Sequence, residues 1–290
     1  MPSPQPGHRA ARTTAATLLL LSAVAYTAWV LEVVLSTGLD PVQAYISELA
    51  AEDQPLGGLF RATDLAAGLC LLAAAGTALA TGQAGASRRH RWALAGWSAL
   101  ALFGAATAAD SRLPLSCAPT SDEMCAVRET AGLVPATHTA HAVTSSLAMA
   151  GALTALVSLT VAARRYRWWP PVRRFGPWLL GAELLATGWS LASIAAFQAG
   201  RGTWALGAGQ RLQVLLVAIW LGLLALGIAH SARTDAPDTP DPSDAPDTPD
   251  APDAPDAPDT PHVSDPSGRT HEDAMPRHRP AGPSRGRRPT

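Results

Sequence analysis

Lysine is missing altogether from this chain, and all 22 basic residues are arginine. With the excess of alanine and proline, this reads as a coding bias toward GC-rich codons. The arginines do not gather on one soluble face, as nucleic-acid recognition would require, so nucleic acid is not an expected partner. No glycine-rich phosphate loop, nucleophile elbow or closely paired cysteine knuckle appears anywhere, so no familiar motif announces a reaction. Charge is also scarce, at 16% of residues against 48% hydrophobic. That average joins two unlike polymers, because the apolar residues fall almost entirely before His230 and the rest is rich in proline, aspartate and arginine.

What is present instead is a series of six apolar segments, at about 14–36, 59–81, 92–109, 138–162, 177–198 and 212–230. Each approaches or exceeds the ~20 residues that an α-helix needs to cross a hydrocarbon layer at 1.5 Å per residue. Their interior glycine, serine and threonine are of the kind that membrane helices tolerate. The expectation is an all-α, polytopic bundle of six transmembrane helices over 14–230, preceded by a basic stretch at 1–13. Although Arg9 and Arg12 precede an apolar run with an Ala23-Val24-Ala25 pattern, the run continues through "YTAWVLEVVL". It is too long for a cleaved signal core, so retention as an anchor is expected.

Arginine placement predicts orientation. The loops and flanks on the amino-terminal side hold Arg9, Arg12, Arg88, Arg89, Arg91, Arg164, Arg165, Arg167, Arg173, Arg174 and Arg233. The other side holds only Arg61, Arg112, Arg128, Arg201 and Arg211. The positive-inside rule then puts both termini in the cytoplasm of a cell-membrane protein, with Trp168 and Trp169 as an inner-interface anchor. From 231 to 290 the chain carries "DAPDTPDPSDAPDTPDAPDAPDAPDTP" and ends in "RHRPAGPSRGRRPT". Proline every third residue favours polyproline II, aspartate repulsion extends it further, and nothing there can build a core. A disordered cytoplasmic tail with no assigned partner is predicted.

An ionisable residue within a span is costly enough to be a functional hypothesis by default. Glu32, Arg61, Asp64, Asp110, His138, His141, Arg211 and Gln213 all map toward the outer ends of their segments, and only Glu183 falls nearer an inner half. A shared depth allows them to converge on an outward-facing polar vestibule. Arg61 and Asp64, three apart, can neutralise one another. His138 and His141 are also three apart, with Ser145 one turn further on. The favoured reading is interface histidines hydrogen-bonded to neighbours; metal or acid–base work and pH sensing are the alternatives. Cys117 and Cys125, in an oxidising outer loop and spaced too widely for a zinc knuckle, are expected to form a disulfide. Cys70 reads as a small buried hydrophobe. In the first loop, Ser47 and Glu48 can face the same vestibule, or "ISELAAE" can lie at the interface with its acids in water.

"YISELAAEDQPLGGLFRATDLAAG", "TAADSRLPLSCAPTSDEMC" and "THTAHAVTS" together resemble the bacterial membrane proteins catalogued as domain of unknown function 998. The resemblance covers about 14–230 and implies a six- to seven-span helical membrane protein without an established activity. It carries over Ser47, Glu48, Arg61, Asp64, Asp110, Cys117, Cys125, His138 and His141. Ser116 stands where that family carries an acidic residue after the "LPL" proline. A more distant likeness is to the seven-helix membrane hydrolases related to alkaline ceramidases and adiponectin receptors, which place a serine, an aspartate and three histidines around zinc. Here the third histidine would be His230, at the opposite end of its span.

The expectation for function is a non-enzymatic membrane protein, embedded in the lipid bilayer, that binds a lipid headgroup or small polar ligand through Ser47, Glu48, Arg61, Asp64, Asp110, His138 and His141. No cofactor is expected, and no protein partner is named. The alternative is a metal-dependent hydrolase acting on a lipid or amide at the outer leaflet, with Asp110, His138 and His141 holding zinc. A small-solute transporter is third, disfavoured by few interior charges and no inverted repeat.

Overall fold

The computed structural model describes residues 6–82 and 90–234. Among them there are seven α-helices, two 3-10 helices and no strand. The helices are α1 (Pro6–Tyr26), α2 (Gly57–Thr81), α3 (Arg91–Asp110), α4 (Glu123–Thr130), α5 (Ala136–Arg165), α6 (Pro170–Gln198) and α7 (Leu206–Thr234). Six stretches are long and apolar enough to cross a membrane: Arg9–Val33, Gly57–Thr81, Arg91–Asp110, Ala136–Arg165, Pro170–Gln198 and Leu206–Arg233. The acidic, proline-rich tail and the loop arginines Arg88 and Arg89 lie outside the described residues, so what was expected of them rests on the sequence alone.

The six long helices close into a ring, each packing on the next in chain order and α7 returning to α1; the contact of α5 with α6 is the sparsest. Arg12 Nη1 donates to the Ser231 carbonyl at 3.5 Å, so the amino-terminal end of α1 and the carboxy-terminal end of α7 share one end of the bundle. The interior is filled by Leu19, Leu71, Trp97, Leu100, Phe103, Leu156, Leu159, Trp220, Leu221 and Leu224. Close packing depends on glycine at two crossings. A Cβ on Gly68 would sit 2.7 Å from the Gly104 carbonyl and the Ala108 nitrogen, and one on Gly151 would sit 2.8 Å from the Phe103 nitrogen. Backbones therefore touch between α2 and α3 and between α3 and α5, as small residues permit in membrane bundles. The outward face is apolar: Trp178 is 81% exposed and Leu185 77%, among many leucines and valines. Such a girdle is incompatible with water and is matched by hydrocarbon.

Four features differ from the sequence expectation. The first span is not α-helical to residue 36; it passes at Thr27 into a 3-10 helix, Ala28–Val33. Thr27 Oγ1 donates back to the carbonyls of Ala23 and Val24 at 3.1 and 3.0 Å, the back-bonding that disturbs a helix end. In the tighter 3-10 winding residues three apart eclipse, so Trp29 and Glu32 share a face. The helix α6 begins at Pro170 rather than near 177, with proline in its first turn and Pro177 inside it. This places Glu183 at the middle of its helix, not toward one end. Helix α4 was not foreseen, although Asp122 caps it by accepting from the Met124 N–H at 2.9 Å and Arg128 sits in its last turn. Finally, Trp169 is buried rather than interfacial. It packs edge-on against Trp97 at 6.4 Å and closely over Gly227.

Candidate functional site

At the end opposite the first turns of α1 and the last turns of α7, three short segments fold over the ring: the turns around the 3-10 helix Ile46–Ala50, the loop 111–135 that includes α4, and the turn before α7. Cys117 and Cys125 are joined, with Cα atoms 6.0 Å apart, which closes the loop onto α4. The Glu52 N–H donates to the Leu115 carbonyl at 2.9 Å and the Ala208 N–H to the Val42 carbonyl at 3.1 Å. The three segments are thus one hydrogen-bonded cap.

Beneath the cap, Asp110 at the end of α3 meets the first turns of α5. His141 Nδ1 lies 3.0 Å from the Leu113 carbonyl and 3.1 Å from Asp110 Oδ1. A carbonyl can only accept, so Nδ1 carries a proton. Ser145 Oγ donates to Asp110 Oδ2 at 3.0 Å and lies 3.3 Å from His141 Nε2; Thr144 also donates to Asp110 Oδ1. The order carboxylate, imidazole, hydroxyl is that of a nucleophilic relay. Here, however, the serine proton is committed to the carboxylate, which makes a closed ring of hydrogen bonds rather than a primed nucleophile. Asp64, half-buried on α2, lies in electrostatic reach of both Asp110 and His141.

His138 belongs to a separate group. Its Nδ1 accepts from the Ser116 backbone N–H at 3.2 Å and lies 3.0 Å from Ser116 Oγ, leaving Nε2 as the protonated nitrogen, 3.8 Å from Glu129 Oε1. Ser116 therefore does not leave a gap where an acid was expected; it holds the imidazole. The two histidines face different partners, and among the described residues no group of three or more histidine, cysteine, aspartate or glutamate residues is arranged to hold a metal ion. The alternative ligand set of Asp110, His138 and His141 is not brought together.

Two further expectations are corrected. Arg61 does not pair with Asp64; its Nη1 donates to the carbonyls of Ala50 and Ala51 at 2.7 and 3.2 Å. The end of the 3-10 helix presents unsatisfied carbonyls, and the guanidinium reaches them more readily than it turns back along its own helix. Nor does Glu48 lie in water. It is fully buried, taking the Thr120 backbone N–H at 2.8 Å and the Thr120 hydroxyl. Burial pushes its carboxyl up from 4.5 to about 7, against the two Thr120 hydrogen bonds that favour the charged form. Ser47 is half-buried and makes no hydrogen bond with these residues.

A buried ion pair, Glu32 with Arg211, joins the first span to the sixth. Nε and Nη2 donate to the two carboxylate oxygens at 2.6 and 2.7 Å, and Nη1 reaches the Ala44 and Gly207 carbonyls at 3.0 and 3.2 Å. Both residues were placed at the outer depth from sequence, but a partner 179 positions away leaves no local signal. Thr144 and Ser145 did leave one, lying three and four residues beyond His141 on the same helical face. Thr120 and Glu129, in a loop of no periodicity, left none.

The sequence profile of a family described as "Protein of unknown function (DUF998)" matches residues 15–227. No curated protein and no solved structure matches the chain.

Proposed function

The chain belongs to that family, whose description carries no reaction, and from this premise we propose that it is a multi-pass protein of the cell membrane that binds an ammonium-bearing ligand, a lipid headgroup or free amine, beneath its outer cap. The orientation rests on the arginine count, which favours both termini in the cytoplasm and the cap outside.

The observation that carries the ligand reading is Asp64. Asp64 is a half-buried residue within electrostatic reach of Asp110, its carboxyl takes no hydrogen bond from the described residues, and Arg61, the cation nearest in sequence, is spent on the Ala50 and Ala51 carbonyls. Two carboxyl groups within electrostatic reach of one imidazole form a site that an ammonium group would complete, displacing any proton held there, and that an anion would not. Arg211 is likewise committed to Glu32, so neither Arg61 nor Arg211 is left to neutralise Asp64. The hydroxyls of Thr144 and Ser145 fix the Asp110 carboxylate in place, which lowers the ordering cost of binding.

Thermal unfolding of detergent-purified protein in ethanolamine, choline and acetate tests this reading. The amines should raise the midpoint and acetate should not. Asp64→Asn should remove the response, because a charge-assisted contact of about 1.5–3 kcal/mol corresponds to roughly 10- to 100-fold in affinity. Stabilisation by acetate, or an unchanged amine response in Asp64→Asn, would reject the assignment.

A further inference from the structure

Among the described residues, Glu183 is a buried carboxyl that takes no part in the cap. Glu183 is the fourteenth residue of α6, about 20 Å from either end of that helix at 1.5 Å per residue. Its side chain is wholly buried, and neither carboxylate oxygen has a hydrogen-bond partner. The nearest polar neighbour is Gln213 of α7, whose amide nitrogen donates to Thr187 Oγ1 at 2.8 Å and lies 3.0 Å from Met149 Sδ of α5. The short contacts of that amide go to Thr187 and Met149, while Gln213 stays close enough to Glu183 to interact with it. Tyr26 of α1 is within electrostatic reach of Glu183, and also of Asp64 and Asp110. The groups around Glu183 on each packed element are thus a phenol, a thioether, an amide and the Thr187 hydroxyl, with no cation among them.

This environment suits one occupant. An ionised carboxylate without donors in an apolar interior costs several kcal/mol, and neutralisation by a proton is the way such groups persist. A metal cation is a poor fit, since hard ions take six or more oxygens and this setting offers few beyond the carboxyl itself, the Thr187 hydroxyl and the Gln213 amide oxygen. The same phenol lies within electrostatic reach of Glu183 and of Asp64 and Asp110 toward the cap. We propose that Glu183 is a proton-binding site at the middle of the bundle, which exchanges its proton with the cap end past Tyr26 and Asp64. The site does not depend on the ammonium-ligand reading, and the two can fail separately.

Reconstituted full-length protein treated with the membrane-soluble reagent dicyclohexylcarbodiimide tests the site. A protonated carboxyl adds its oxygen to the central carbon and its proton to a nitrogen, and rearrangement gives a stable N-acylurea that peptide mass spectrometry locates. Modification at Glu183 is expected, falling as the medium facing the cap is made alkaline, and Tyr26→Phe should slow that response. A second readout removes dependence on reagent access: the infrared carboxylic-acid carbonyl band should lose a component in Glu183→Gln. If that variant does not fold, titration of the band in the wild type still decides. Absence of both the band component and the modification would overturn the proton site. Modification independent of pH on the cap side would overturn the exchange route.

Discussion

In the belt of the bundle α2 and α3 approach so closely that a single Cβ at Gly68 or Gly104 would strike backbone, and contact is made almost wholly by alanine, leucine and aromatic carbon. At the cap the same chain uses a disulfide, a bidentate ion pair and a set of buried hydrogen bonds centred on Asp110, His138 and Glu48. The difference follows from solvent. Hydrocarbon offers no hydrophobic gain between helices, so fit decides there. At the rim water competes for every polar group, so burial under a cap is what makes the hydrogen bonds count.

The comparison breaks hardest at the buried Glu32–Arg211 ion pair. Arg211→Ala leaves the Glu32 carboxylate buried without its partner, and a loss of about 3–5 kcal/mol is expected in denaturant or thermal unfolding. Arg211→Lys should recover only part, because an ammonium cannot make the two parallel donations. Next comes the staple: reduction, or Cys117→Ser with Cys125→Ser, should cost about 2–3 kcal/mol on the chain-entropy account of so short a loop. Non-reducing mass spectrometry should find those two cysteines joined. In the belt, Gly104→Ala should cost about 1–3 kcal/mol by forcing α2 and α3 apart.

The last effect is set by pH and acts in the cap. Glu48, raised by burial to about 7 from 4.5, holds a proton in the folded state over a window where the unfolded chain has released it. Stability from this group is therefore complete below about 4.5, is lost as pH rises through about 7, and is flat beyond. Glu48→Gln should remove that slope from the pH profile of the unfolding midpoint. Retention of the slope would assign it elsewhere.

The belt was legible in the sequence because its signal is one-dimensional: length and apolarity locate spans 2, 3 and 4 to within a few residues. Span ends that depend on side chains were not legible. Thr27 turning its hydroxyl onto Ala23 and Val24, or Pro170 starting α6 seven residues early, are local choices that hydropathy does not register. In the cap the residue types were visible and their partners were not. Arg61 and Asp64 sit at ion-pair spacing, yet the Ala50 and Ala51 carbonyls, eleven and ten residues away, take the guanidinium. Whether two such residues pair depends on what a folded loop brings near them, and spacing on one helix cannot report that.

The ligand assignment is tested most directly by equilibrium binding of short-chain phosphatidylethanolamine and phosphatidylglycerol to the protein in nanodiscs, for the wild type and Asp64→Asn. Saturable binding of the ethanolamine lipid alone, weakened about tenfold or more by Asp64→Asn, is the expected result. Equal affinity for both lipids, a preference for phosphatidylglycerol, or ethanolamine-lipid binding untouched by Asp64→Asn would contradict a cation-binding site beneath the cap.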